Sequence, residues 1–307
     1  MDKLGCTALA VKKIFDIFPS RFTSALKKTV VDSLCEIRVR VGQPILLVYN
    51  GKKAFLSNDG VVFDPKKSVL PTKEEVEQIV FLACDKSVYA YVDQLMGGFL
   101  PLEGGGRLGV CGQVSLENGC PTAMNGFSSV NIRIPHEVKN CSLPIKKHFL
   151  SPTRNTLVIS KPACGKTTFL RDMVYQLRGK AVNTLIVDER EELAGVKDGK
   201  SLFELNGNCD VLTNCPKKYA IEWGIRSLAP DVIVCDELFV GDMATVATAI
   251  ESGIKFFASV HADSIENAVK KLDLNDKKLF ERYVLLNDEN GVGTIEGTYD
   301  EKFFRLT

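Results

Sequence analysis

The stretch Leu157-Val158-Ile159-Ser160-Lys161-Pro162-Ala163-Cys164-Gly165-Lys166-Thr167-Thr168 decides the fold. Its first three residues end a short apolar run of the kind that forms a buried strand. After Lys166, Phe169, Leu170, Met173, Val174 and Leu177 recur at helical spacing. A loop closing on Gly-Lys-Thr between a strand and a helix is a P-loop. In such a loop, successive backbone N–H groups and the helix N-terminus surround a β-phosphate. The motif therefore assigns Ser160, Lys161, Pro162, Ala163, Cys164, Gly165, Lys166, Thr167 and Thr168 to nucleotide binding. Lys166 would reach the β- and γ-phosphates, and the Thr167 hydroxyl would bind Mg2+. Ser160 stands where the motif has its first glycine. Serine is the smallest polar replacement, so the loop is still expected to form.

A coincidental strand–turn–helix would lack the second motif. Asp231-Val232-Ile233-Val234-Cys235-Asp236-Glu237 is a buried strand ending in two acids, the Walker B arrangement. Asp236 would hold Mg2+ and Glu237 would polarise the attacking water as general base. One strand, over 184–187, is expected between the two motifs. An acid directly after the metal acid favours ATP hydrolysis over GTP switching, and the chain has no Asn-Lys-x-Asp guanine reader. Arg226, shortly before this strand, is either a neutraliser of transition-state charge or a surface ion pair. His261 ends an apolar strand over 256–260, as a γ-phosphate sensor or a merely hydrogen-bonded histidine. Asp188 and Glu189 end the 184–187 strand. Asp188 is a candidate for metal and Glu189 for catalysis; a solvated charge run is the alternative.

Gly104-Gly105-Gly106-Arg107-Leu108-Gly109 spells the dinucleotide fingerprint. Residues 110–116 then alternate as a strand and open no helix, so a glycine-rich hairpin is expected there.

A length of 307 residues suggests two domains. With 45% hydrophobic and 25% charged residues the balance is that of a soluble globular protein. A net charge of +1 supplies no global field toward nucleic acid or anionic lipid. The 10 cysteines form no Cys-x-x-Cys pair and the 3 histidines fall at no zinc spacing, so reduced cysteines in a cytosolic protein are expected. The opening apolar run is broken by Lys12, Lys13 and Asp16, unlike a cleavable signal. No stretch approaches the roughly 18 apolar residues that would span a bilayer. Work at a membrane would then run through partners.

The expected organisation is an α+β domain over 1–140, a linker over 141–155 carrying Pro144 and Pro152, and an ATPase domain over 156–307. In the first domain, two short helices are expected between Leu9 and Leu26. Strands follow over 36–41, 44–49 and 54–56, with Asn50-Gly51 as a hairpin turn. A capping-box helix starts after Thr72, a second helix covers 87–95, and strands cover 98–102, 107–116 and 129–134. Beyond 156, short apolar runs alternate with helical patterns over 166–178, 218–228, 242–252 and 264–272, and a last strand covers 294–299. That alternation predicts an α/β fold with a mainly parallel sheet and ligands at the strands' carboxyl ends.

At the level of longer motifs the chain resembles the stage III sporulation protein AA family, itself similar to type II and type IV secretion ATPases. The resemblance rests on residues 36–44 (EIRVRVGQP), 87–90, 104–113 and 128–134 in the first half. In the second it rests on the P-loop with 170–172, then 187–190, 215–217, 225–237 (IRSLAPDVIVCDE) and His261. It implies a RecA-like ATPase domain using ATP and Mg2+ in a cytosolic hexamer. That hexamer would dock beneath a membrane channel between mother cell and forespore, with that complex's membrane proteins as partners and no specific nucleic acid. Lys166, Thr167, Asp236 and Glu237 carry over from the family directly, and Asp188, Glu189, Arg226 and His261 by position. Ser160 and the stretch 259–263 depart from its pattern. Two other readings remain: a nucleic-acid-associated P-loop motor, and a non-hydrolysing nucleotide-bound scaffold.

Overall fold

Ile37 and Val39 bury one face of strand β1 (Leu34–Arg40), about which the first sheet is built. The computed structural model describes residues 14–29, 34–49, 52–102, 106–134, 138–197, 199–201, 203–274, 278–289 and 291–307. By internal contacts the chain divides into two units, Met1–Glu137 and Val138–Thr307.

In the first unit, β1 lies beside β2 (Leu46–Tyr49), followed outward by β3 (Lys52–Ser57) and β4 (Gly60–Val62). On its other side are β7 (Cys120–Arg133), β6 (Gly106–Glu117) and the edge strand β5 (Phe99–Leu102). Every pair is antiparallel. Helices α1 (Ser20–Leu26), α2 (Lys73–Ala83) and α3 (Val92–Met96) accompany the sheet. The expected capping box opens α2: the Thr72 hydroxyl accepts the Glu75 N–H at 3.3 Å and the Glu75 carboxylate accepts the Thr72 N–H at 2.9 Å. A helix over 87–95 is instead a 3-10 turn (Val88–Tyr91) followed by α3. Asn50, Gly51, Gly104 and Gly105 lie outside the described residues, but Gly106–Gly109 is strand, so the dinucleotide fingerprint is excluded here. β7 begins at Cys120, well before residue 129. Residues 113–122 are exposed on both strands, so no buried face imposed the alternation by which a strand is read.

The second unit holds the parallel sheet. Its strands are β8 (Thr156–Ser160), β9 (Thr184–Asp188), β12 (Cys209–Thr213), β13 (Val232–Cys235), β14 (Lys255–His261), β15 (Arg282–Asn287) and β16 (Thr294–Asp300). A separate short hairpin comprises β10 (Val196–Lys197) and β11 (Lys200–Ser201). The order is β12-β9-β13-β14-β8-β15-β16, and only β16 runs antiparallel. Alternate residues of one strand enter two cores. Leu157 and Ile159 face a cluster with Val246 of helix α7 (Met243–Glu251) and Ala268 of helix α8 (Ile265–Lys271). Val158 faces Phe169 and Leu170 of helix α5 (Lys166–Tyr175). Burying such side chains contributes about 1.5–3 kcal/mol each.

Residues 141–155, expected as a linker, fold with this unit. Helix α4 (Lys146–Leu150) and the turn before it bury Ile145, Phe149 and Leu150, and Phe149 meets Phe257 edge-on at 5.7 Å. Asp172 fixes the segment's start by accepting the N–H groups of Asn140 and Ser142 at 2.6 and 2.7 Å. A single helical turn between two prolines is too short to show a period. Strands β12 and β15 are also beyond what the sequence predicts. Every residue of β12 is at least partly exposed at the sheet edge, and the apolar run Tyr283–Leu286 is too short to assign by period. Two main-sheet strands, β9 and β12, therefore separate the motifs in the chain, where one was expected.

Candidate nucleotide site

Because β8, β9, β13 and β14 are parallel, their carboxyl ends share one edge, and there the sequence's candidates gather. The P-loop follows β8. Ala163 (φ 60°) and Gly165 (φ 82°) take the left-handed backbone that turns the chain into α5. The φ of Gly165 favours glycine, and a Cβ there would also crowd the Gly293 Cα at 3.3 Å. Lys166 is 5% exposed, and its ammonium donates to the Lys161 carbonyl at 2.9 Å and to the Ser160 carbonyl and hydroxyl at 3.3 and 3.2 Å. Burial lowers its pKa, with Asp236 pulling the other way. Ser160 is thus more than a small residue: its hydroxyl also donates to the Lys161 carbonyl at 2.9 Å.

Asp236 follows β13, two strands from β8, with β14 between them. One carboxylate oxygen accepts the Thr167 hydroxyl and the other the Ser259 hydroxyl of β14. Glu237 has φ 55°, a conformation braced by its N–H donating to the same Ser259 hydroxyl at 3.0 Å. Its carboxylate meets Arg190 Nη1 at 2.5 Å and His261 Nε2 at 3.2 Å. Burial first, and the Lys166 charge second, lower the His261 pKa, against the pull of Glu237 and Asp236.

Asp188 lines the same cleft as Asp236 and Glu237 but is bonded differently, and Arg226 stands elsewhere. Asp188 is 3% exposed and accepts the N–H groups of Glu192 and Leu193 at one oxygen, and of Ala194 and Gly195 at the other. Both oxygens serve its own loop, which they anchor. Arg226 lies exposed on a π-helical turn (Gly224–Leu228) at the end of helix α6 (Lys217–Trp223). A crossover helix runs back to the amino edge of the next parallel strand, so Arg226 is at the end of the sheet opposite the P-loop. Glu189 is at the carboxyl edge, paired with the buried Lys217 at 2.7 Å. Arg190, Lys217 and Ser259 enter the sequence pattern only as parts of longer motifs. Nothing local marks them, since their partners lie 22 or more positions away in the chain.

Thr167 and Asp236 offer two adjacent oxygen donors facing the loop. This suits Mg2+, which is held by one or two carboxylates together with substrate phosphates and water.

The parallel sheet, the P-loop after β8 and the acids after β13 define a RecA-like P-loop fold. The ATPase DotB of Yersinia pseudotuberculosis shares it, with a TM-score of 0.55 at 13% identity over 87% of this chain and 76% of that one. The ATPase DotB of Legionella pneumophila gives a TM-score of 0.52 at 13% identity, covering 82% and 72%. At such identity the likeness concerns the fold alone. Stage III sporulation protein AA of Bacillus subtilis (strain 168) is 30% identical over 304 residues, 95% of either chain. The profile of the family "Sporulation stage III, protein AA" matches residues 10–306, and the chain belongs to that family.

Proposed function

We propose that this chain is a Mg2+-dependent ATPase whose turnover drives the assembly or operation of a sporulation channel between mother cell and forespore. One observation carries the reading. The Thr167 hydroxyl and the Ser259 hydroxyl converge on Asp236, so the P-loop and the β13 acids form one cluster although they are far apart in the chain. In this reading Ser160, Lys161, Pro162, Ala163, Cys164, Gly165 and Thr168 line the phosphates. Lys166 neutralises β- and γ-oxygens, and Thr167 with Asp236 holds Mg2+, which supplies charge neutralisation when bound. Glu237 takes a proton from the attacking water, while neutral His261 fixes its carboxylate and Glu189 steadies the rim through Lys217. Any part for Arg226 lies across a subunit boundary, because its own P-loop is at the other edge.

Family membership supports the sporulation setting, and a hexameric ring is part of what the family resemblance implies. Among the described residues no helix is long and apolar enough to cross a membrane. A place at the cytoplasmic face, held by the complex's membrane proteins, belongs to the same family-based reading. The scaffold reading also has an observation behind it: both oxygens of Glu237 are already engaged. Phosphate release by the wild type and by Glu237→Gln decides. We expect release to fall by about 10²–10⁴-fold in the variant, the usual contribution of a general base. Equal background rates would leave the scaffold.

A further inference from the structure

We infer that Arg190 is the γ-phosphate arginine of this site and that it exchanges the Glu237 carboxylate for the γ-phosphate when ATP binds. The inference rests on the ATP reading above and adds a residue to it.

Arg190 Nη1 lies 2.5 Å from Glu237 Oε2, while His261 Nε2 holds the other oxygen at 3.2 Å. Arg190, Asp236 and Glu237 line one cleft, and Asp236 accepts the hydroxyl of Thr167, the residue after Lys166. Arg190 therefore stands one carboxylate away from the P-loop side of that cleft, where a terminal phosphate would sit. Among the described residues of the second unit Arg190 is the arginine that lines this cleft, and Arg226 is at the opposite edge of the sheet.

The backbone beneath Arg190 is fixed and its side chain is not. Asp188 ties down the four N–H groups from Glu192 to Gly195. Arg171 of α5, the helix that begins with the P-loop lysine, donates to the Leu193 and Glu192 carbonyls at 2.9 and 2.7 Å. The loop is thus tied to the helix that opens with the P-loop lysine, while the Arg190 side chain is 55% exposed. Of the acids flanking it in the chain, Glu189 is held by Lys217, and Glu191 accepts the Asn214 amide at 2.5 Å.

Magnitudes favour the exchange. A half-exposed ion pair in water is a weak contact. A guanidinium on a phosphate makes charge-assisted, often bidentate bonds, which are markedly stronger. Glu237, relieved of a cation, becomes a better proton acceptor at the moment ATP arrives.

The test compares binding of ADP with binding of a non-hydrolysable ATP analogue, both with Mg2+. Arg190→Ala is expected to weaken the analogue about tenfold and to leave ADP unchanged. Glu237→Gln removes the competing partner and is expected to tighten the analogue several-fold, about the share of Arg190 it had sequestered. That gain should vanish in the double variant, a coupling that a merely structural arginine would not produce. An unchanged ratio of analogue to ADP affinity in Arg190→Ala overturns the inference, as does an equal loss for both ligands. If the wild type binds neither nucleotide, the ATP reading itself fails, and the arginine's role falls with it.

Discussion

Asp188 and Asp236 follow paired residues of neighbouring parallel strands, Val187 of β9 and Cys235 of β13, and so stand at one level of the sheet. Their surroundings differ completely. Asp188 is enclosed by four N–H groups of its own loop, whereas half-buried Asp236 is held by two hydroxyls from other elements, Thr167 and Ser259. Amide donors cannot turn away, so they fix a carboxylate permanently. Hydroxyls rotate and also accept, so the same carboxylate can be handed to a cation. Position at the carboxyl edge makes an acid a candidate, and the kind of donor around it decides between scaffold and chemistry.

The largest effect expected from this contrast is on turnover. Asp236→Asn should lower Mg2+-dependent phosphate release by about 10²-fold or more, since metal-borne charge stabilisation is worth several kcal/mol. Its urea midpoint should stay near that of the wild type, because the freed hydroxyls can bond the amide or water. A large loss of folding stability with turnover retained would reverse the assignment of the two acids.

Asp188→Asn is expected to do the opposite. One amide nitrogen would face two N–H donors in a buried site, a loss of about 3 kcal/mol for charge-assisted bonds. Urea unfolding reads this as a lower midpoint. A variant that unfolds with the wild type but loses Mg2+-dependent nucleotide binding would make Asp188 a metal ligand.

A smaller effect is expected at His261, which braces the acid next to Asp236. Its pKa is held below the ordinary 6.5, chiefly by burial. As pH falls below about 6.5 the unfolded chain takes up a proton that the folded chain refuses, so stability is lost with acidification. His261→Gln removes this titration, and the drop in urea midpoint between about pH 7 and pH 5 should be shallower than in the wild type. An identical drop would mean that the histidine is not held neutral.

Much of this arrangement was legible in the sequence where local pattern and chemistry coincide. Gly165-Lys166-Thr167 and Asp236-Glu237 each sit beside a strand or helix whose period is plain, so their edge of the sheet could be read. Arg190, Lys217 and Ser259 were not legible as site residues, because their partners Glu237, Glu189 and Asp236 are brought to them only by sheet order. Asp188 was half legible for a related reason. The sequence shows a carboxylate at a strand end but not the backbone amides that fold back over it. The departure from the family pattern at Ser259 fell on a residue that braces both acids.

Arg226 tests the contrast from the far end of the same strand. It lies before β13 as Asp236 lies after it, exposed, with no hydrogen bond or ion pair among the described residues. A side chain at the amino edge cannot reach phosphates held at the carboxyl edge of its own sheet. Arg226→Ala should therefore leave ATP affinity of the isolated, dilute chain within about twofold of wild type, the usual scale of a surface change. If turnover falls only at concentrations where the chain self-associates, the arginine acts on a neighbour's nucleotide. A loss of affinity in the monomer would mean that α6 and its π-helical turn bring Arg226 round to its own P-loop, against the crossover geometry from which its position follows.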